Sequence, residues 1–146
     1  MKKFNFKLDT VLGIREGIEQ EWESKLGKAN SECQLIKNKI DSYKALISDS
    51  KDTVTDINQF QIKCIYEDRL NSQIVKEKVL LKDKEAKRDE IKKIYLQKSI
   101  DRKIIDKLKD KSLKSFKKES LRQESITIDE INNSSKIREE MLGGVN

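Results

Sequence analysis

The sequence contains no proline and no histidine, and only 5 of its 146 residues are glycine. Proline and glycine are the strongest helix breakers, so long helices are permitted through the body of the chain. Histidine is the most frequent general base and a common metal ligand, and no glycine-rich phosphate-binding loop is present either. The composition therefore predicts a protein that is not an enzyme, with no cofactor, no metal centre and no small-molecule substrate.

Long apolar runs are also absent. The longest are two or three residues, whereas a membrane-spanning helix needs roughly 20. The first twelve residues contain three lysines and an aspartate and lack the apolar stretch of a signal peptide. Cysteine is scarce, and Cys33 and Cys64 form neither a CxxC pair nor a metal-ligand pattern. We expect a cytoplasmic protein with reduced thiols.

Apolar residues make up 35% of the chain and charged residues 40%. This is too little apolar surface for a compact core of that length, although a two-helix seam needs much less. The same composition is also typical of disorder, which lacks a sustained hydrophobic period. The choice between the two therefore depends on periodicity.

A heptad stripe provides that period. Apolar or small side chains alternate at spacings of four and three, at Trp22, Leu26, Ala29, Cys33, Ile36, Ile40, Tyr43 and Ile47. A strict 3.5-residue repeat keeps one narrow seam facing a partner helix. We therefore predict a coiled coil with these eight residues in its seam.

The first helix is predicted to begin near Asp9, a good N-cap, and to run over about residues 9–48. Val11, Ile14 and Ile18 step towards the seam by three and four residues. Joining them to Trp22 requires one additional four-residue step, which predicts local unwinding of the supercoil.

A polar cluster over about residues 49–54 predicts a turn, because short polar side chains compete for backbone hydrogen bonds. A longer second helix is predicted over about 55–138, followed by a flexible C-terminal tail. Its apolar positions are less regular: Ile57, Phe60, Cys64, Leu70, Ile74, Leu81, Ile91, Ile94, Tyr95, Ile104, Ile105 and Leu108.

These elements predict an all-α fold, an antiparallel coiled-coil hairpin that forms a single domain over residues 1–146. A fold-back near residue 52 places Ile40 level with Cys64, because both helices rise by about 1.5 Å per residue. The alternative is one unbroken helix that dimerises. That alternative stays open because the turn contains neither glycine nor proline.

Positive charge is concentrated in the second helix. Residues 76–118 contain 17 basic and 8 acidic side chains, a net charge of +9. A nucleic-acid reader would favour arginine forks and stacked aromatics, whereas lysine dominates here with only Tyr95 and Phe116 among the aromatics. An acidic protein surface is the preferred partner, and no nucleic acid is expected. Compositional bias with solvated charges is the alternative.

Particular residues resemble a known family. The opening Phe4-x-Phe6-x-Leu8-x-x-Val11-Leu12-x-x-Arg15, followed by a heptad helix, a polar turn and a longer basic helix, resembles the flagellar FliJ proteins. Weaker similarities are Asn58-Gln59-Phe60 after the turn, and Glu124 with Asp129-Glu130 near the end of the second helix.

The resemblance implies a cytoplasmic coiled-coil component of the flagellar type III export apparatus, peripherally associated with the inner membrane at the flagellar base. Such a stalk inserts into the hexameric export ATPase and stimulates it, contacts the cytoplasmic domain of the export gate membrane protein, and escorts export chaperones.

Carried over by residue, the resemblance implies an ATPase-ring contact formed by Leu8, Val11, Leu12 and Arg15 together with the C-terminal helix. It implies a gate contact at Phe60 and Cys64. The competing hypothesis is a structural or DNA-associated dimeric coiled coil with no export role.

Overall fold

The computed structural model describes residues 2–52 and 55–144 of the chain. It contains helix α1 over Asp9–Asp49, a 3-10 turn over Ser50–Asp52, and helix α2 over Ile57–Gly143, with no strand among these residues. The predicted all-α fold with a longer second helix is confirmed. Residues 139–143, predicted as tail, are helical, while 53–54, at the end of the predicted turn, lie outside the described residues.

The contacts divide the chain into two compact units. Met1–Ile14 and Arg102–Asn146 form the first, here called the terminal unit, and Arg15–Asp101 form the second, here called the hairpin unit. Each unit contains a portion of both helices. The single-domain organisation remains a prediction.

The first backbone hydrogen bond of each helix identifies the residue at which the helix begins. The Leu8 carbonyl accepts the Leu12 N–H at 2.9 Å, which makes Leu8 the N-cap and puts Asp9 in the first turn. The predicted N-cap was thus one residue late, although an acidic residue in the first turn still interacts favourably with the helix dipole. At α2, the Asp56 carbonyl accepts the Phe60 N–H at 3.0 Å.

The two helices pack antiparallel in the hairpin unit. As residue numbers increase along α1, the residue numbers of the contacting α2 side chains decrease. These cross-helix contacts are Arg15 with Asp101 at 3.8 Å, Glu32 with Lys84 at 3.2 Å, Lys39 with Glu77 at 3.3 Å, and Ser50 with Glu67 at 3.1 Å. The hairpin topology therefore rests on a consistent series of pairs.

The register of the hairpin differs from the prediction. Ile40 packs in a core cluster with Ile74, rather than level with Cys64, a shift of ten residues along α2. The reason lies at the turn: Ser50, at the end of α1, contacts Glu67, so α2 begins ten residues before the level at which α1 ends. The prediction assumed that the start of α2 lies level with the end of α1.

The α1 seam alternates by three and four residues from Leu12 to Ser50. Its members, each buried or half-buried, are Leu12, Arg15, Glu19, Trp22, Leu26, Ala29, Cys33, Ile36, Ile40, Tyr43, Ile47 and Ser50. Ile14 and Ile18 were predicted to step into this seam and are instead 59% and 36% exposed. The helix keeps its strict heptad and accepts polar residues in the seam, so no local unwinding step is needed.

The α2 seam is largely polar. In the hairpin unit its buried or half-buried members include Glu67, Leu70, Ile74, Glu77, Leu81, Lys84, Arg88, Ile91, Tyr95 and Lys98. Several apolar residues predicted for this seam lie outside it, namely Ile57, Phe60, Ile94, Ile104 and Leu108. Hydrophobic periodicity alone could not locate a seam in which half of the positions carry charge or polarity.

In the terminal unit, the N-terminal segment and the start of α1 pack on α2. The rings of Phe4 and Phe116 lie 5.4 Å apart between centroids, and Asp9 Oδ1 accepts a hydrogen bond from Lys109 Nζ at 2.6 Å. Leu12 is 5% exposed and supplies the buried apolar side chain of α1 in this unit. An aromatic contact and an ion pair therefore hold the N-terminal segment in place.

Candidate partner-binding surfaces

The residues predicted to contact the ATPase ring are divided by burial. Leu8 and Val11 are 39% and 36% exposed, whereas Leu12 lies in the buried seam. Leu12 thus packs beneath the surface, whereas the side chains of Leu8 and Val11 are accessible to a partner. Arg15 belongs to the hairpin unit, where its Nη1 lies 3.8 Å from Asp101 Oδ2.

The eight predicted seam residues from Trp22 to Ile47 lie on one face of α1, and each is buried or half-buried. Cys33 is the most enclosed, at 2% exposed, and is a free thiol. Ile36 and Ile40 form the centre of the apolar cluster with Ile74. These residues hold the two helices together and leave little of their surface for a partner.

The first turns of α2 carry an exposed apolar group, here called the tip patch. Phe60 is 54% exposed, and three isoleucines beside it in sequence are exposed as well: Ile57 at 75%, Ile62 at 69% and Ile65 at 63%. Cys64 is half-buried and free. Phe60 and Ile57 are neighbours on the helix surface because they are three residues apart, and exposed apolar patches mark interaction sites.

Capping contacts fix the start of the helix that carries the tip patch. The Gln59 side-chain oxygen accepts hydrogen bonds from the Thr55 hydroxyl at 2.9 Å and the Thr55 N–H at 3.3 Å. The Asp56 carboxylate accepts the Ile57 N–H at 2.7 Å. The Gln59 contacts resemble one half of a capping box, and together with the Asp56 contact they stabilise the start of the helix.

Sequence reasoning selected Phe60 and Cys64 but missed the three exposed isoleucines as surface residues. Ile57 was assigned to the second seam because its apolar side chain fitted a helical period. The missing signal was the ten-residue offset between the helix ends, which leaves the start of α2 beyond the last turn of α1.

Glu77 is an acidic seam residue of α2 that lies one helical turn from Ile74 of the apolar cluster. Glu77 is only 13% exposed at its side chain, and its Oε1 pairs with Lys39 Nζ at 3.3 Å. Its Oε2 is buried without a hydrogen-bond partner among the described residues. A half-satisfied buried carboxylate lowers stability and favours the one alignment in which Lys39 can reach it.

An exposed ion pair lies on the terminal-unit portion of α2. Hydrogen bonds from Arg122, and then from Gln123, lower the pKa of Glu119 to about 2. The Arg122 Nη2 lies 2.8 Å from the Glu119 carboxylate, and the same pair raises the pKa of Arg122. Both groups therefore remain charged at neutral pH.

Two other kinds of functional feature are absent from the described residues. Within residues 2–52 and 55–144, no three acidic, cysteine or histidine side chains are grouped so as to hold a metal ion. Neither helix contains, in its described part, a stretch long and apolar enough to cross a bilayer.

The class defined by this geometry is an antiparallel two-helix coiled coil. The sequence model of the family described as "Flagellar FliJ protein" matches residues 4–140, so the chain belongs to the FliJ family, whose members are components of the flagellar export apparatus. No curated protein and no solved structure matches the chain. The predicted resemblance is confirmed.

Proposed function

We propose that this chain is the non-catalytic stalk of the flagellar type III export apparatus, which inserts into the hexameric export ATPase and stimulates its turnover. Family membership supports the export role, and the exposed apolar side chains on the first turns of α1 support an insertion surface. A two-helix stalk is asymmetric in cross-section, so it contacts six equivalent subunits differently. Such differential contact biases their conformations without a catalytic residue.

The proposed ring contact consists of Leu8 and Val11, supported by buried Leu12, and of the C-terminal part of α2. Arg15, which belongs to the hairpin unit, is also proposed to contact the ring. Every described residue from 121 to 144 is exposed, so this helical segment is available to a partner. Helix continuity there requires no packing against α1, which makes the segment suited to entering a pore.

The decisive test is whether the purified full-length chain raises the turnover of the export ATPase that functions with it. We expect a stimulation that falls by about tenfold in a Leu8→Ser/Val11→Ser variant, because two exposed apolar contacts are lost. Leu35→Ser is the matched control, since Leu35 is 67% exposed on the same helix outside the proposed contact. Unchanged turnover with the wild-type chain would refute the stalk.

We further propose that the tip patch, centred on Phe60 and half-buried Cys64, contacts the cytoplasmic domain of the export gate membrane protein. The support is the exposed aromatic ring among isoleucines at a capped helix start. Aromatic side chains carry a large share of the binding energy at protein interfaces.

Phe60→Ala tests this contact. We expect gate-domain binding to weaken by about tenfold or more while the helical circular dichroism and melting temperature stay unchanged, because an exposed ring adds little to folding. Val79→Ala, at a position 67% exposed on the same helix, should bind normally. A parallel loss of helix and binding would show that Phe60 is a folding residue.

The remaining parts of the proposal follow the family resemblance. We propose a cytoplasmic protein, held peripherally at the inner membrane through the gate, that escorts export chaperones. Co-purification of chaperones with the wild-type chain, measured after their cargo has been released, tests the escort role. Equal recovery with cargo-loaded chaperones would argue against selective escort.

A further inference from the structure

The terminal unit carries a row of five lysines whose charges no described residue neutralises. Between Arg102 and Lys118 there are eight basic and two acidic residues. Spacings of four, four, three and four residues relate the exposed members of the row, Lys103, Lys107, Lys111, Lys114 and Lys118. On a helix this spacing places all five within an arc of about 80° and along about 22 Å of the axis.

The lysine row lies opposite the seam of the same helix. Ile105, Lys109 and Phe116 face the packed side of α2 in this unit, since each is buried or half-buried. Half a helical turn separates that side from the row. A partner can therefore contact the row without separating α2 from α1.

The row is unfavourable for the isolated helix. Like charges at spacings of three and four residues repel one another, and none of the five forms an ion pair with a described residue. In the hairpin unit, by contrast, lysines pair across the two helices, as Lys84 does with Glu32 and Lys39 with Glu77. The unpaired row thus has the character of a binding surface.

An exposed apolar patch lies beside the row in the same unit. Its members are Leu8, Val11, Ile14, Ile104 and Leu108, which are between 36% and 59% exposed. Val11 immediately precedes the seam residue Leu12, and Leu108 immediately precedes the seam residue Lys109, which has the same heptad position. Residues that flank the seam in this way lie on the same side of an antiparallel helix pair. Ile14 and Ile104 lie one helical turn from them.

The two surfaces together select among anionic partners. Their centres are about a quarter-turn apart around α2, so a wall that curves around the helix contacts both more fully than a flat membrane surface does. A phosphate backbone offers nothing to the apolar patch, and the row contains no arginine fork. A concave protein surface, with acidic side chains around an apolar centre, contacts both.

We propose that the lysine row and the apolar patch form one docking surface for a concave acidic protein wall. This inference rests on the proposed stalk function, in which that wall is the pore of the ATPase ring. It adds α2 residues to the contact and states the charge that the ring must present. Binding through the row should weaken as salt rises, because exposed charges are screened within about 8 Å at physiological ionic strength.

The test measures binding of the full-length chain to the hexameric ATPase at low and high salt. We expect Lys107→Gln/Lys111→Gln/Lys114→Gln to weaken binding by about tenfold at low salt and to flatten its salt dependence. The same variant should melt at an equal or higher temperature, because like-charge repulsion is relieved. Loss of binding without loss of stability separates docking from folding.

The matched control is Lys76→Gln/Lys78→Gln/Lys82→Gln, which removes three exposed lysines of the hairpin unit. It should bind the ATPase as the wild type does. For the apolar half, Ile104→Ser/Leu108→Ser should weaken binding at all salt concentrations, whereas Val75→Ser/Val79→Ser should not.

Three results would overturn the inference. If wild type binds and stimulates the ATPase but the row variant does so equally well, the row is refuted and the stalk stands. If wild type fails to bind, both proposals fall. If the row instead mediates binding to phosphatidylglycerol vesicles or duplex DNA, with no ATPase effect, the partner class is wrong.

Discussion

The hairpin unit and the terminal unit use the same two helices in opposite ways. In the hairpin unit, α1 contributes an apolar seam, and charged residues of α2 find partners across the interface, as Lys84 does with Glu32. In the terminal unit, apolar side chains such as Ile14 and Ile104 are open to solvent, and a lysine row has no described counter-charge. Away from the tip patch, the hairpin unit is thus organised around its seam, whereas the terminal unit carries the lysine row and the apolar patch of the proposed docking surface.

The largest expected effect removes the centre of the hairpin core. Ile40 is 5% exposed and packs with Ile36 and Ile74, so Ile40→Ala should lower the free energy of unfolding by about 2–4 kcal/mol. Leu35→Ala, at an exposed position, should change it by less than about 0.5 kcal/mol. Urea unfolding followed by circular dichroism measures both. Similar losses would mean that the seam does not hold the hairpin.

The next effect concerns the buried carboxylate. Lys39→Met leaves Glu77 without its partner and should destabilise the hairpin by about 1–3 kcal/mol. The double variant Lys39→Met/Glu77→Leu should recover this loss, because an apolar pair needs no counter-charge. A double-mutant cycle of urea midpoints tests the coupling. Additive single effects would show that the two side chains act independently.

The seams of α1 and α2 differ in how far they could be predicted from the sequence. The seam from Trp22 to Ile47 could be predicted because its side chains are apolar and strictly spaced. The α2 seam could not, since Glu77 and Arg88 occupy positions that a hydrophobic period would leave to apolar residues. The predicted register of the hairpin was wrong because a polar turn without glycine or proline does not show which residues of the second helix lie level with the first.

The candidate surfaces were predictable to a similar degree. Phe60 was identified through its resemblance to the family, and its exposure agrees with a surface position. The basic stretch was visible as a count of charges, but the face occupied by its lysines could be assigned only once the seam was known. Ile104 was predicted as a seam residue and lies in the open instead.

A moderate effect is expected in the terminal unit. Phe4→Ala removes the ring that packs on Phe116 and should cost this contact about 1 kcal/mol. Because few other buried contacts hold the N-terminal segment, its amides should exchange hydrogen faster while those of Ile36 and Ile40 keep their protection. Faster exchange throughout the chain would show that the segment supports the whole fold.

The smallest effect is a pH response of the terminal unit. The folded pKa of Glu119 is about 2, below its usual 4.5, so its pairing with Arg122 contributes fully above pH 4.5 and is lost as pH falls towards 2. Glu119→Gln should remove this small dependence, as monitored by the melting temperature between pH 2 and 5. Glu124→Gln is the control. An unchanged pH profile in the Glu119 variant would contradict the assigned pair.

The mixed seam of α2 also determines which pairings this helix avoids. Two copies of α2 aligned in parallel would bring Glu77 against Glu77 and Arg88 against Arg88, placing identical charges face to face at low dielectric. In the chain's own hairpin, Lys39 of α1 pairs with Glu77, and the small side chain of Ala29 lies near the level of Arg88. Parallel pairing of two α2 helices is thereby disfavoured, and α1 of the same chain is the better partner for α2.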